Sequence, residues 1–280
     1  MRIGHCQCIV RPGDFKANNE TVLRGLQTAD QRGVEIVSFP EAMLTGYFDR
    51  EEPTRKCAVR VDGPEIRSFL EQSGHFKATV IVGFNELRGD DLYNTALVAE
   101  RGKLLGIYSK VFAYQRFHKK GDQFPVFERG GVKFGVIICA DGGYIEPARI
   151  LALKGARIIF APHYNYINAP NLINHFQKVR SDHIARAVEN TVWFLRGNNV
   201  ATGRDPGMSY DAVGYGDSYL LDPRGEMVVR SRRHHEDFID ADVEVNAKEL
   251  YDDRSLRSAQ RFGQVMLEAA MTRANPRGAG

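Results

Sequence analysis

The 280-residue sequence contains no run of roughly 18 consecutive apolar residues, the length that a membrane-spanning helix needs. Its first residues, Met1-Arg2-Ile3-Gly4-His5-Cys6, lack the apolar core of a secretion signal and read directly into a strand, so a cytoplasmic location is expected. Cysteine is scarce: four in a chain of this length make no disulfide framework, and their value must come from burial or reactivity. An excess of one charge is missing too. Lys and Arg number 38 against 35 Asp and Glu, and the net +3 is spread along the chain, which gives nucleic-acid binding no support. No His, Asp and Glu stand together at metal-ligand spacing, so neither a metal nor another cofactor is expected. No linker-like gap, low-complexity run or short repeat divides the chain, which predicts one domain over residues 1–280, with a C-terminal helix and tail from about residue 245.

What is present is enough apolar sequence, 43%, for a large core, arranged as alternating strands and helices. Strands are predicted over residues 2–10, 35–39, 78–84, 132–139, 158–161, 191–200 and 237–243, with antiparallel pairs at 92–99 and 103–109 and in a hairpin at 217–230. Helices are predicted near 19–32, 64–74, 146–155, 171–190 and 257–273, with a polar loop over 110–130 and a disordered Pro/Gly-rich end. Several strands are apolar at every position, which suits an α/β fold whose sheets are covered on both faces.

The most informative segment is Gly135-Val136-Ile137-Ile138-Cys139-Ala140-Asp141-Gly142-Gly143. A buried strand ends at a cysteine, small residues follow, and a helix begins soon after. This presents a thiol at the carboxyl end of a strand, where α/β folds place ligands, beside turn amides that can bind an oxyanion. The same position also suits a small buried core residue. Two further residues stand at strand mouths. Glu41 follows Val37-Ser38-Phe39-Pro40 and could take a thiol proton, or cap a helix starting at Ala42. Lys110 follows the strand 104–109 and could stabilise a negative intermediate, or be a solvated strand-end lysine.

Together with their surroundings these residues resemble the nitrilase superfamily of carbon–nitrogen hydrolases. The resemblance is carried by Phe39-Pro40-Glu41 with Thr45-Gly46-Tyr47, by Tyr108-Ser109-Lys110, by Gly135–Asp141 with Glu146, by Arg186-Ala187-Val188-Glu189-Asn190, and by Gly216-Asp217-Ser218 with Asp222-Pro223-Arg224-Gly225. It implies a four-layer α-β-β-α sandwich and a triad of Glu41 as base, Lys110 as stabiliser of the intermediate and Cys139 as nucleophile, with Lys110 and the Ala140 amide holding the oxyanion. The implied activity is hydrolysis of a non-peptide C–N bond in a small linear amide or N-carbamoyl compound through a thioester. Nitrile hydrolysis is less expected. A non-catalytic binding member of the same fold and an amide-forming acyltransferase are the alternatives. It also implies a homodimer or larger homo-oligomer, with the C-terminal tail packing across subunits.

The sequence departs from the family after the lysine. Many members carry a second glutamate in this loop, but residues 111–121 contain no carboxylate. Either that glutamate is missing, or its work passes to Gln115, His118 or a residue from elsewhere. Gly142-Gly143-Tyr144-Ile145-Glu146 also stands where the family often has bulkier groups. Tyr47, Gln115, His118, Tyr144, His163 and Tyr164 are the candidates for contact with a small-molecule substrate. Arg116, His118, Lys119 and Lys120 make the loop basic, and an acidic substrate group could be recognised there. Cys6 and Cys8 share a strand face and read as core filling, Cys57 has no assigned role, and His234-His235 sits in an exposed charge run.

Overall fold

A computed structural model of the chain describes residues 1–245 and 254–274. Its strands form two six-stranded sheets. The first runs β14 (Asp237–Asp242), β1 (Arg2–Gln7), β2 (Ile36–Ser38), β3 (Thr79–Arg88), β4 (Asp91–Glu100), β5 (Lys103–Ser109). The second runs β13 (Met227–Arg230), β12 (Tyr219–Leu221), β10 (Trp193–Gly197), β8 (Ile158–Pro162), β7 (Val132–Val136), β6 (Val126–Arg129). Each has a parallel centre, β1-β2-β3 or β7-β8-β10, flanked by antiparallel strands. A short pair, β9 (Tyr166–Ile167) with β11 (Val213–Gly214), stands apart.

Alternation along the strands sorts side chains into layers. Because successive residues of a strand point to opposite faces, Ile36 and Ile81 enter one core while Val37, Val80 and Val82 enter another. The first core lies between the sheets, where Ile3, Ile81, Val98 and Tyr108 meet Phe134, Phe160, Leu195 and Leu220. Outside the first sheet, Val22, Leu26 and Ala29 of α1 (Phe15–Gln31) and Ile66 and Phe69 of α3 (Pro64–Ser73) close over Phe39 and Phe84. Outside the second sheet, Ala148 and Leu151 of α4 (Ile145–Leu153) and Ala187 of α5 (Leu172–Asn190) close over Ile159 and Phe194. The layers are therefore α-β-β-α. A buried leucine or phenylalanine is worth about 1.5–3 kcal/mol relative to exposure, so these three cores carry the fold.

Several predicted boundaries move. Helix α1 begins at Phe15, capped by the Asp14 side chain on Ala17 N at 3.0 Å, four residues earlier than predicted. A seven-residue helix, α2 (Glu51–Cys57), was not predicted; its acidic first turn and basic last turn suit the helix dipole. The loop expected over 110–130 contains β6, and the strand expected to reach residue 139 ends at Val136. The C-terminal helix is α6 (Arg254–Ala274), and the predicted disordered end lies outside the described residues. Among the described residues no helix is long and apolar enough to cross a membrane. All four cysteines are free, and Cys8 Sγ lies 3.6 Å from Met43 Sδ in the core.

Four histidines are packed into this framework: His5, His118, His163 and His183. Burial holds the rings of His5 and His118 down at about 3, and those of His163 and His183 well below the ordinary imidazole value. In the unfolded chain each takes a proton as pH falls through about 6.5; in the folded chain it does not until far lower. The stability they contribute is therefore complete above pH 6.5 and is lost as pH falls toward 3, at about 1.4 kcal/mol per histidine per pH unit. Asp141 and Asp205, whose carboxyls are raised by burial, offset part of this. Urea midpoints should drop steeply between pH 7 and pH 5; a flat midpoint over that range would show that the rings are protonated in the folded state.

Candidate active site

The carboxyl ends of β2, β5, β7 and β8 converge on one cavity of about 560 Å³, whose wall includes Lys110, Cys139 and Ala140. Cys139 opens a 3₁₀ turn (Cys139–Gly143) with φ +47°, a left-handed conformation unusual for a residue with a side chain. This sharp turn carries the thiol off the strand and toward the cavity. It is clasped by Asp141, fully buried, whose carboxylate accepts from Ile138 N at 2.9 Å, Phe112 N at 2.8 Å and the Tyr108 hydroxyl at 2.7 Å. One carboxylate thus fastens the cysteine turn to the end of the strand that leads to Lys110.

Glu41 and Lys110 are 1% and 2% exposed. Glu41 Oε1 accepts from Lys110 Nζ at 2.6 Å and from Asn94 Nδ2 at 2.7 Å, and Oε2 accepts from Tyr164 N at 2.9 Å. The turn that carries Glu41 fits because residue 83 is glycine: a Cβ there would stand 2.5 Å from Ala42 N and 3.2 Å from Glu41 C. Burial pulls the Lys110 ammonium down, but the Glu41 carboxylate and its neighbours outweigh this and hold it above the ordinary lysine value. It is a permanent cation. The Cys139 thiol is pushed up to about 12, first by burial and then by the Glu41 charge, against the pull of Lys110. The resting cysteine is a thiol. Asn165 Nδ2 points at its sulfur from 3.6 Å, and Asn165 Oδ1 is in turn held by the buried Arg196 guanidinium at 2.5 Å.

The other candidates divide. Tyr47 stacks on Tyr164 with centroids 4.8 Å apart, and Gln115 Nε2 donates to the Tyr47 hydroxyl at 3.4 Å; all three line the cavity. Tyr144 stacks on Phe112 at 3.6 Å at the rim, and His163 lies deeper, its Nδ1 donating to Ala161 O at 2.7 Å. His118 is turned away, with Nε2 on Asn85 Oδ1 at 3.2 Å, and is absent from the cavity wall; its ring is taken up in pinning the loop to the first sheet. Arg116 is exposed outside the cavity, and Lys119 pairs with Asp91 at 3.6 Å. Of the two loop residues weighed in place of the second glutamate, only Gln115 reaches the cavity. Asn94 and Arg196 were not foreseen. Their one signal is a polar residue inside an apolar strand or next to a strand end, where an unpaired group would be costly.

Residues 2–251 match the carbon–nitrogen hydrolase family. The chain belongs to that family. Its members act on C–N bonds, and the match covers all three residues of the Glu41–Lys110–Cys139 constellation. A glutamine-dependent NAD(+) synthetase of Thermotoga maritima is 28% identical over 88% of the chain, which spans 42% of that relative's length. The omega-amidase NIT2-B of Xenopus laevis is also 28% identical, over 88% of this chain and 89% of its own. A carbon–nitrogen hydrolase structure from Helicobacter pylori superposes with a TM-score of 0.79 at 21% identity, covering 95% of this chain and 94% of that one, and shares the fold.

Proposed function

We propose that the protein hydrolyses a small linear amide or N-carbamoyl compound through a thioester on Cys139. The observation that carries the reading is the buried Glu41–Lys110 pair, 2.6 Å apart, whose lysine shares a cavity wall with Cys139. In this reading Glu41 removes the thiol proton as sulfur attacks the carbonyl carbon, because a thiol held near 12 does not ionise alone at neutral pH. Lys110 and the Ala140 amide meet the oxygen that becomes negative. Glu41 passes the proton to the departing nitrogen, and the C–N bond breaks. Water, deprotonated by the same carboxylate, then cleaves the thioester and restores the thiol. An amide substrate is supported by the omega-amidase relative, whose match extends over 89% of its own length. In this reading Gln115, which lines the cavity with its amide on Tyr47, does the positioning work that many family members give to a second glutamate.

The test is ammonia release from a panel of small amides and N-carbamoyl compounds by wild type and Cys139→Ala, with intact mass measured after rapid quenching. Wild type should release ammonia from at least one and show an acyl mass on Cys139; the alanine variant should do neither. A panel that wild type leaves untouched, with no adduct, would instead favour a binding protein on this fold.

A further inference from the structure

Arg196 stands inside the buried strand β10, with Ala161 and Tyr219 as its neighbours in the sheet, and is 1% exposed. The mechanism above gives it no part. Its guanidinium lies against the rings of Tyr215 and Tyr219, 5.5 and 5.6 Å from their centroids. Nη1 donates to Gly216 O at 3.1 Å and to Asp217 O at 2.5 Å, and Nη2 donates to the Tyr215 hydroxyl at 3.0 Å and to Asn165 Oδ1 at 2.5 Å. All four acceptors are neutral. The Asp217 carboxylate is bonded instead by Arg180, Arg230 and Arg233. Burying a cation without a bonded carboxylate is costly, and an apolar residue would fill this strand position more favourably. What the charge achieves is visible at Asn165. An asparagine side chain has one acceptor end and one donor end. Arg196 and Tyr215 both donate to Oδ1, at 2.5 and 3.3 Å, so Nδ2 must face the other way. The backbone is fixed too, with Asn165 N donating to Asn198 Oδ1 and Asn199 Oδ1, each at 3.0 Å. The donor end that remains, Nδ2, stands 3.6 Å from Cys139 Sγ.

We propose that Asn165 is a further catalytic residue and Arg196 its positioning residue: Arg196 holds the Asn165 amide so that Nδ2–H donates to the Cys139 sulfur as it becomes anionic. The proposal rests on the thioester reading above and adds the group that supports the sulfur within it. An N–H bond to a neutral thiol is weak and one to a thiolate is strong, so the contact favours the state from which sulfur attacks. The sulfur accepts this bond through a lone pair and keeps its own proton for Glu41. When water cleaves the thioester, the C–S bond breaks and sulfur leaves as a thiolate; the same N–H receives it until the proton returns from Glu41. Lys110 does not serve the sulfur alone, because its ammonium is bound to Glu41 at 2.6 Å. The Arg196 charge acts in the same direction: with Lys110 it pulls the thiol down, against burial and Glu41.

The experiment follows alkylation of Cys139 by iodoacetamide, read by peptide mass, from pH 7 to pH 9, where the rate tracks the thiolate fraction. Asn165→Ala removes the donor and leaves Arg196 its bonds to Tyr215 and the two carbonyls, so it should fold. Its rate should fall about tenfold at every pH, the span of one charged hydrogen bond. Arg196→Met should fall at least as far. Arg196→Lys, which keeps the charge but has a single prong, should lie between it and wild type, and it carries the test if the methionine variant does not fold. Adding Arg196→Met to Asn165→Ala should lower the rate less than it does in wild type, because part of its effect passes through the amide. A merely structural role predicts the opposite sign: a loosened site exposes the thiol and speeds alkylation. On any amide that the enzyme cleaves, Asn165→Ala should lower kcat about tenfold with KM little changed. Alkylation needs no turnover, so if no amide is cleaved the hydrolase reading fails while the thiol still decides the donor. An Asn165→Ala rate at or above wild type, or a wild-type rate in the folded Arg196 variants, overturns the proposal.

Discussion

Glu41→Gln should lower amide turnover about 10³-fold while making Cys139 more reactive toward a simple alkylating agent. The two effects have one cause. A thiol held near 12 is about one part in 10⁵ thiolate at pH 7, and the Glu41 charge is the second largest reason, after burial, that it is held there. Glutamine removes that charge and leaves the Lys110 ammonium buried beside the sulfur without its ion-pair partner, so the thiol titrates lower. Alkylation by iodoacetamide needs only a thiolate, and its pH profile should move down. Amide cleavage also needs a proton for the leaving nitrogen and a base for the water, and glutamine supplies neither. The variant should fold, since its carbonyl oxygen can still accept from Lys110 and Asn94; only Tyr164 N, 2.9 Å from Oε2, is left facing an amide nitrogen. Turnover within tenfold of wild type, or an alkylation profile that stays put or moves up, would remove Glu41 from the role of base.

Much of this site could be read from the sequence because each of its three reactive residues follows a short apolar strand, and strand ends in an α/β fold meet on one side of the sheet. Phe39-Pro40-Glu41, Tyr108-Ser109-Lys110 and Ile137-Ile138-Cys139 each announce a charged or nucleophilic group where burial stops. An α/β fold with covered sheets was legible for a related reason: strands apolar at every position need cover on both faces, and Ile36 and Val37 do go to opposite cores, whereas the four-layer α-β-β-α order came only with the family resemblance. What stayed hidden depends on contacts far along the chain. Helix α2 carries Pro53 and no apolar period, so only its terminal charges mark it. The strand before Cys139 stops at Val136 because Ile138 N turns to the Asp141 carboxylate in place of a neighbouring strand. His118 looked available beside Gln115, yet the loop is pinned with His118 facing Asn85, and no local pattern fixes which of two side chains turns inward.

Asp141 offers the sharpest separation between holding the site and performing its chemistry. Its carboxylate is the shared acceptor for Ile138 N, Phe112 N and Tyr108 OH in a dry interior. Asp141→Ala leaves three donors with no acceptor, at about 1–3 kcal/mol each. The sum, roughly 3–9 kcal/mol, is a large share of the 5–15 kcal/mol that typically holds a domain together. The alanine variant should therefore be largely unfolded at 37 °C or show a urea midpoint far below wild type. Asp141→Asn is the informative partner, because its oxygen can keep two of the donors while its amide nitrogen faces the third. It should fold with a loss of about 1–3 kcal/mol. Its catalytic loss should exceed what that stability change explains. The left-handed conformation of Cys139, φ +47°, costs about 1–2 kcal/mol and persists only while the turn is clasped to the strand end that leads to Lys110. A loosened clasp lets the turn relax and moves the sulfur away from Glu41 and Lys110. Folded Asp141→Asn should lose at least about tenfold in kcat with KM little changed, and Cys139 should alkylate with an altered pH profile. An alanine variant within 1 kcal/mol of wild type, or an asparagine variant with full kcat, would mean that the turn holds its shape without the carboxylate.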